Sequence, residues 1–342
     1  MKAVGYSESL PIDDANSLID IEIDRPEASG HDILVKVRAI AVNPVDYKIR
    51  QMMGAEEGQE YRILGWDAVG EVVAVGDDVT LFNEGDEVFY AGEIFRPGCN
   101  AEYQLVDERI VGKKPVSLSD TEAAALPLTT ITAWELLFDH LEIGQQEPGS
   151  GKRSDEVILV TGAAGGVGSI LVQIAATITG ATIIGTASRE SSKQWVEQLG
   201  AHHVVDHSKP LGPQIEALGI GPVTHVASLN STHSYWDTYE ELLVPFGRIA
   251  MIDDPEPLDI TKLKFKSLSL HWEFMFARSL HKAADMIAQH ELLNRMADLV
   301  DAGHIKTTAN KSLGTISADN LKTAHRELEA GTAIGKIVLE GF

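Results

Sequence analysis

The stretch VILVTGAAGGVG, Val157 to Gly168, limits what this chain can fold into more than any other. An apolar run ends in seven positions holding four glycines and two alanines. Its continuous apolar character reads as a buried parallel strand. The segment that follows, SILVQIAATI, places Ile170, Leu171, Ile174, Ala175 and Ile178 on one face of a helix. The glycines therefore lie on a strand-to-helix turn. Without Cβ atoms, such a turn lets a phosphate reach the backbone, where N–H groups and the helix dipole at Gly166, Val167 and Gly168 hold negative charge. The letters fit A-x-G-x-x-G, with Ala163, Gly165 and Gly168 in the three marked places, and so point to dinucleotide binding.

The rest of the chain has two textures. Up to about Val116 it consists of short β-type runs, such as ILVKVRAIAV, EVVAVG and DEVFYAG, divided by Gly, Asp and Pro turn signals. This part reads as a β barrel or sandwich. From Asp120 helical patterns alternate with short apolar runs: VILVT, TIIGTAS, HVVD, THVASL, GRIAMI and LSLHWEF. That alternation implies parallel β-α-β units. An amphipathic helix ending near Gly303 and a last strand at Lys336 to Glu340 close the chain. At 342 residues the length suggests about two domains, and 44% hydrophobic content can support a core.

Charge and composition remove several function classes. The balance of 51 acidic against 28 basic residues gives a formal charge of -23, which disfavours nucleic acids and anionic membranes as partners. No apolar run approaches the ~18 residues of a membrane helix, and MKAVGYSESLPIDD lacks the apolar core of a secretory signal. The single cysteine, Cys99, leaves no internal disulfide framework and no cysteine-rich zinc site. The expected location is cytoplasmic.

The glycine-rich letters also satisfy T-G-x-x-x-G-x-G (Thr161, Gly162, Gly166, Gly168), which resembles the short-chain dehydrogenase motif. That family carries the motif at the chain start and uses a Tyr-x-x-x-Lys pair. Here the motif is central, and none of Tyr6, Tyr47, Tyr61, Tyr90, Tyr103, Tyr235 or Tyr239 has a lysine four residues later. The short-chain reading fails on both counts. The kind of dinucleotide should show roughly 20 residues past the glycines, where a carboxylate favours ribose hydroxyls and an arginine favours a 2′-phosphate. In TIIGTASRESSK the strand is expected to end at Ser188 and Arg189, with Lys193 one turn into the next helix. We read NADP(H), with Ser188 donating to the phosphate and Arg189 pairing with it. The other reading is an N-cap serine before a solvated arginine, and Glu190 argues for NAD. His207, past the third strand, is placed at the adenine end or on an exposed loop.

Taken together, the blocks AVNPVDYKIR (Ala41 to Arg50), LGWDAVGEVVAVGDDVTLFNEGDEV (Leu64 to Val88), PGCNAEYQLVDER (Pro97 to Arg109), LPLTTITAWELL (Leu126 to Leu137), VTGAAGGVG and GKIVLEGF (Gly335 to Phe342) carry a family resemblance over essentially the whole chain. The sequence resembles the medium-chain dehydrogenase/reductase superfamily, in its zinc-free quinone oxidoreductase branch, often labelled zinc-type alcohol dehydrogenase-like. The resemblance implies an α/β protein with a GroES-like β-rich catalytic domain from residues 1–125 and 276–342. A Rossmann doubly wound parallel sheet domain that binds NADP(H), residues 126–275, is inserted between them, with a cleft joining the two. It also implies a homodimer that pairs the last Rossmann strand, near Leu268 to Glu273.

Zinc needs three or four Cys, His or acidic ligands converging tetrahedrally. The three blocks that supply them in alcohol dehydrogenases of the superfamily read here AVNPVD, Gly65-Trp66-Asp67 and LPLTT at Leu128, so no ligand set survives and no metal is expected. His203, Asp206 and His207 read as strand-end and loop residues, and HELLN (His290 to Asn294) as one helical face. Without a Lewis acid, the best-suited chemistry is NADPH-dependent hydride transfer to a small electrophilic acceptor, a quinone or an α,β-unsaturated carbonyl compound. Candidates for anion stabilisation and acceptor contact are Asn43, Tyr47 and Lys48, with Trp66 as a flat wall or a core residue. By family position Thr132 and Thr129 contact the nicotinamide, against a role in helix capping. Asn230 and Phe274 follow the fourth and sixth strands, where open parallel sheets bind ligands. The competing classes are an NADPH-binding structural or redox-responsive protein with little turnover and a zinc-dependent alcohol dehydrogenase.

Overall fold

A computed structural model describes all 342 residues. The chain divides into two compact units, one of Met1–Ile131 with Phe276–Phe342 and one of Thr132–Met275. The second unit holds a six-stranded sheet in the spatial order His203–Val205, Thr182–Thr186, Val157–Thr161, Val223–Ser228, Leu243–Met251, Ser269–Trp272. Every pairing in it is parallel. Numbered by sequence this is 3-2-1-4-5-6, the dinucleotide-binding order. The strand Val157–Thr161 lies at the centre and is buried at all five positions. Its position explains why its letters are apolar without alternation: helices cover both faces of a parallel sheet. The direction of winding reverses between this strand and Val223–Ser228, and Gly162 and Asn230 follow these two strands at their C-terminal ends.

The first unit is mainly antiparallel. Its larger sheet runs Ala309–Ser312, Lys336–Glu340, Asp32–Val42, Ala68–Val75, Glu87–Tyr90, Val111–Lys113, with Tyr103–Asp107 also on Asp32–Val42. The eleven-residue strand Asp32–Val42 is the hub, because it pairs with the closing strand of the chain, Ile337 opposite Val42 and Val338 opposite Ala41. This pairing joins the two ends of the sequence in one sheet. A smaller sheet adds Ile19–Glu22, Lys2–Tyr6 and Arg62–Ile63. The helix Ala288–Asp301 buries Leu292, Leu293, Met296, Leu299 and Val300. No helix is long and apolar enough to cross a membrane.

Several expected bounds shift. The second Rossmann strand ends at Thr186 rather than at Ser188 and Arg189, and the helix Glu190–Gln198 takes Arg189 as its N-cap. The serine of the N-cap reading therefore stands one residue too early. Glu135–His140 forms a π-helical turn that continues the helix Pro127–Trp134, which periodicity does not reveal.

Candidate functional site

In the parallel-sheet unit, Gly162 turns the chain after its strand in the left-handed region, at φ +66°. The helix Gly166–Ile178 then starts with Gly165 as its N-cap and no side-chain cap. A helix start leaves its first amides without intrahelical acceptors, so the N–H groups of Gly166, Val167 and Gly168 are placed as an anion would need. Gly168 has a separate duty. A Cβ on it would meet Gly162 O at 2.4 Å and Ala163 Cα at 2.6 Å, so the helix lies against the turn only because this residue is glycine. Gly165 is less constrained, its nearest neighbour being Gly162 O at 3.3 Å. Ala163 is fully buried against the space left by Gly185 and offers only its backbone. The turn thus brings backbone and no bulky side chain to the start of this helix, as the pyrophosphate of a dinucleotide would require.

Beside it, the Asn230 Oδ1 comes within 3.1 Å of the position a Gly162 Cβ would take. The next residue, Ser231, is a non-glycine residue at φ +55°, strained backbone of the kind that gathers at ligand sites. Under this edge Ser228 is hydrogen-bonded to Thr232 at 2.7 Å and to Tyr239 at 2.8 Å, and Tyr239 donates to Thr161 at 3.3 Å. This buried hydroxyl network holds the ends of two adjacent strands, and burial pushes the Tyr239 phenol up. The expectations for the unit did not include it, since no residue in it is unusual in a sequence. At the next strand end Ser188 is half-buried and Arg189 exposed. Lys193 Nζ lies 3.9 Å from Asp206 Oδ2, and Lys209 Nζ 3.4 Å from it. Hydrogen bonds from Ser208 hold the Asp206 carboxyl down at about 2. His207 is exposed, as is Phe274 at 46%.

In the other unit, the segment NPVDYK forms the helix Pro44–Met52, with Pro44 at its first position and Asn43 as N-cap. Arg50, fully buried, ties this helix down: its guanidinium donates to Leu10 O, to Glu329 and to His325 Nδ1, the last at 3.3 Å. Tyr47 and Lys48 on the same helix are half-buried. One expectation changes here, and for Trp66 one of the two stated alternatives is met. Asn43 is 1% exposed, and its amide donates to Trp66 O at 3.2 Å and to Asp67 Oδ2 at 2.9 Å while accepting from Lys336. A side chain bound on both its atoms is part of the scaffold and not a contact for an acceptor. Trp66, also 1% exposed, donates its indole N–H to Glu93 O and meets Phe276 edge-on at 6.2 Å, a core tryptophan and not an open wall. Thr129 is 2% exposed and donates to Leu126 O at 3.1 Å, just before its own helix, and Thr132, which opens the parallel-sheet unit, is 5% exposed.

The three blocks that carry zinc ligands elsewhere do meet. Asp67 Oδ1 accepts the Leu128 N–H at 2.7 Å, and Oδ2 accepts from Asn43 and from the Lys336 ammonium at 2.9 Å. The Cys99 thiol is buried, donates to Asp67 O at 3.3 Å, and is pushed up by that burial. No three His, Cys, Asp or Glu side chains stand together as a metal would require. With the Asp67 carboxylate satisfied by a backbone N–H, a carboxamide and an ammonium, and Asp46 Oδ2 taken by the Asn43 N–H, this donor set does not fit zinc. Lys336 was absent from the expected site, although a lysine opening an apolar strand, KIVLE, is a visible signal.

Comparison with known proteins follows from this geometry. Residues 29–116 match the alcohol dehydrogenase GroES-like domain family, and residues 199–339 match the zinc-binding dehydrogenase family. A zinc-type alcohol dehydrogenase-like protein of Staphylococcus aureus is 42% identical over 340 residues, 99% of each chain. The chain belongs to the medium-chain dehydrogenase/reductase superfamily. It is an oxidoreductase with an NAD(P)-binding dehydrogenase fold. A 2-methylene-furan-3-one reductase of Solanum lycopersicum is 35% identical over 61% of this chain and 53% of its own. Among solved structures, a provisionally assigned zinc-dependent alcohol dehydrogenase protein of Rhizobium etli is 52% identical, with a TM-score of 0.94 over 100% of this chain and 98% of its own. The quinone oxidoreductase of Coxiella burnetii is 26% identical, with a TM-score of 0.77 over 100% and 99%.

The neighbour of this cluster, Asp46, makes a test of the burial. Its carboxyl is pushed up to about 7, by burial first, against the opposing Asn43 N–H and Lys336. A carboxyl whose folded value is raised lends stability that is full below its unfolded value of 3.8 and is lost as pH rises through about 7. Asp46→Asn keeps an oxygen for the Asn43 N–H and cannot ionise. Its melting temperature should fall less between pH 5 and pH 8 than that of the wild type, and equal slopes would show that Asp46 does not carry this dependence.

Proposed function

We propose that this protein is an NADPH-dependent reductase that delivers hydride to quinones or α,β-unsaturated carbonyl compounds without zinc. One observation carries the reading: where alcohol dehydrogenases of the superfamily assemble zinc ligands, Asp67 is closed by Leu128, Asn43 and Lys336. Without zinc, alcohol oxidation loses the Lewis acid that would stabilise the alkoxide, whereas a conjugated carbonyl or quinone is already electrophilic. The names of the tomato and Coxiella relatives support both acceptor classes. The bound dinucleotide would supply the hydride. The amides at Gly166, Val167 and Gly168 hold its pyrophosphate, and Ser188, Arg189 and Lys193 take the 2′-phosphate. Asn230, Phe274, Thr129 and Thr132 are the further cofactor contacts of this reading, with His207 at the adenine end. Tyr47 and Lys48 remain to stabilise the enolate or phenolate and return a proton to it. The protein would act as a homodimer in the cytoplasm. The strand Ser269–Trp272 is an edge of the sheet, and Trp272 on it is 57% exposed.

An NADPH oxidation screen over simple quinones, enals and enones, repeated with chelator, should show turnover that chelator leaves unchanged. Tight NADPH binding with no turnover on any acceptor would favour the non-enzymatic class, and zinc-dependent alcohol oxidation would overturn the zinc-free assignment. Arg189→Ala should raise the KM for NADPH about tenfold or more, in line with a lost charge-assisted phosphate contact, and leave the KM for NADH nearly unchanged. Equal effects on the two would refute the phosphate role. Sedimentation at micromolar concentration should give twice the chain mass, and Trp272→Glu should give monomers; a monomeric wild type contradicts the dimer.

A further inference from the structure

We propose that Lys336 is a positioning residue of this reductase: its buried ammonium joins the start of the helix Pro44–Met52 to the start of the helix Pro127–Trp134, and so fixes where Tyr47, Lys48 and Thr129 stand. The link to catalysis rests on the roles given above to Tyr47 and Lys48, while the clamp itself rests on geometry alone.

An ammonium has three protons to donate, and all three of those of Lys336 find acceptors. They are Val42 O at 3.1 Å, Asp67 Oδ2 at 2.9 Å and Asn43 Oδ1. Lys336 is 3% exposed, Asn43 1% and Asp67 fully buried. A charge out of water is tolerated only when paired and hydrogen-bonded, so the three groups hold one another in place. From this centre two chains of bonds run outward. Asn43 is the N-cap of the Pro44–Met52 helix, and its N–H donates to Asp46 Oδ2 at 2.7 Å in that helix's first turn. Asp67 accepts the N–H of Leu128, in the first turn of the Pro127–Trp134 helix, at 2.7 Å.

The placement is a consequence of strand register. Ile337 pairs with Val42, so the residue before Ile337 stands beside the residue after Val42. A lysine there reaches both Asn43 and Asp67 from near the end of the chain, across 293 and 269 positions of sequence. A neutral side chain of the same length would fill the space and leave the buried Asp67 with the Leu128 N–H and the Asn43 amide but without its counter-cation.

The test compares Lys336→Met with the double variant Lys336→Met/Asp67→Asn, which also removes the carboxylate that Lys336 pairs with. Lys336→Met should lower the melting temperature. The double variant should recover most of it, yet keep a kcat at least tenfold below wild type with an unchanged Kd for NADPH. Recovery of kcat together with stability would overturn the proposal, since Lys336 would then serve only to neutralise Asp67. So would a rise in the Kd for NADPH matching the loss of activity. Amide hydrogen exchange reads the clamp without any acceptor. In the double variant, Asp46 to Lys48 and Leu128 to Thr129 should lose about tenfold or more in protection while Ile158 to Val160 keep theirs. Unchanged exchange there sinks the clamp, whereas a wild type without turnover but with this exchange pattern sinks only the reductase reading.

Discussion

The antiparallel pairing of Lys336–Glu340 with Asp32–Val42 is the constraint on which the rest of the first unit depends. It brings the last strand of the chain onto the longest early strand, and the register puts Lys336 beside Asn43. One ammonium then satisfies a carboxylate, a carboxamide and a backbone carbonyl. The carboxylate in turn holds a helix start through Leu128. A charged group so deep in a protein costs more than it returns unless every partner is in place, and here the partners come from two stretches of sequence, at Val42 and Asn43 and at Asp67, both far from Lys336. The same cluster explains the raised carboxyls of Asp46 and Asp67, both pushed up by burial and held back by Lys336.

The parallel-sheet unit solves a different problem, that of placing negative charge against backbone. Gly168 admits the helix to the turn by having no Cβ, and Gly162 reverses the chain where other residues are strained. The uncapped start of the Gly166–Ile178 helix then faces the region where strand order reverses. Buried hydroxyls of Thr161, Ser228, Thr232 and Tyr239 brace that edge from beneath, so the ligand-facing backbone rests on a satisfied network and not on a mobile loop.

How much of this was legible depended on the range of the interaction. The glycine turn, the central buried strand and the following helix are local, and each is written in consecutive letters; all three stand where the sequence places them. The strand after them is local too, yet its end moved from Arg189 back to Thr186, because where a strand stops is set by its neighbour, here Val205 accepting from Ala187. The place of Asn43, and which of the two readings of Trp66 holds, were not legible for a related reason: their hydrogen bonds go to Lys336, Asp67 and Glu93, which only the folded chain brings near.

The sequence by itself determined the α/β class, the glycine cradle and the loss of the zinc-ligand letters, because residue type and spacing along one segment suffice for those. Tertiary structure decided which polar groups are free to do chemistry. Exposure and hydrogen-bond partners are properties of contacts between distant segments, so it took the fold to commit Asn43 to the scaffold, bury Trp66, and make Lys336, six residues before Phe342, the centre of the buried polar cluster.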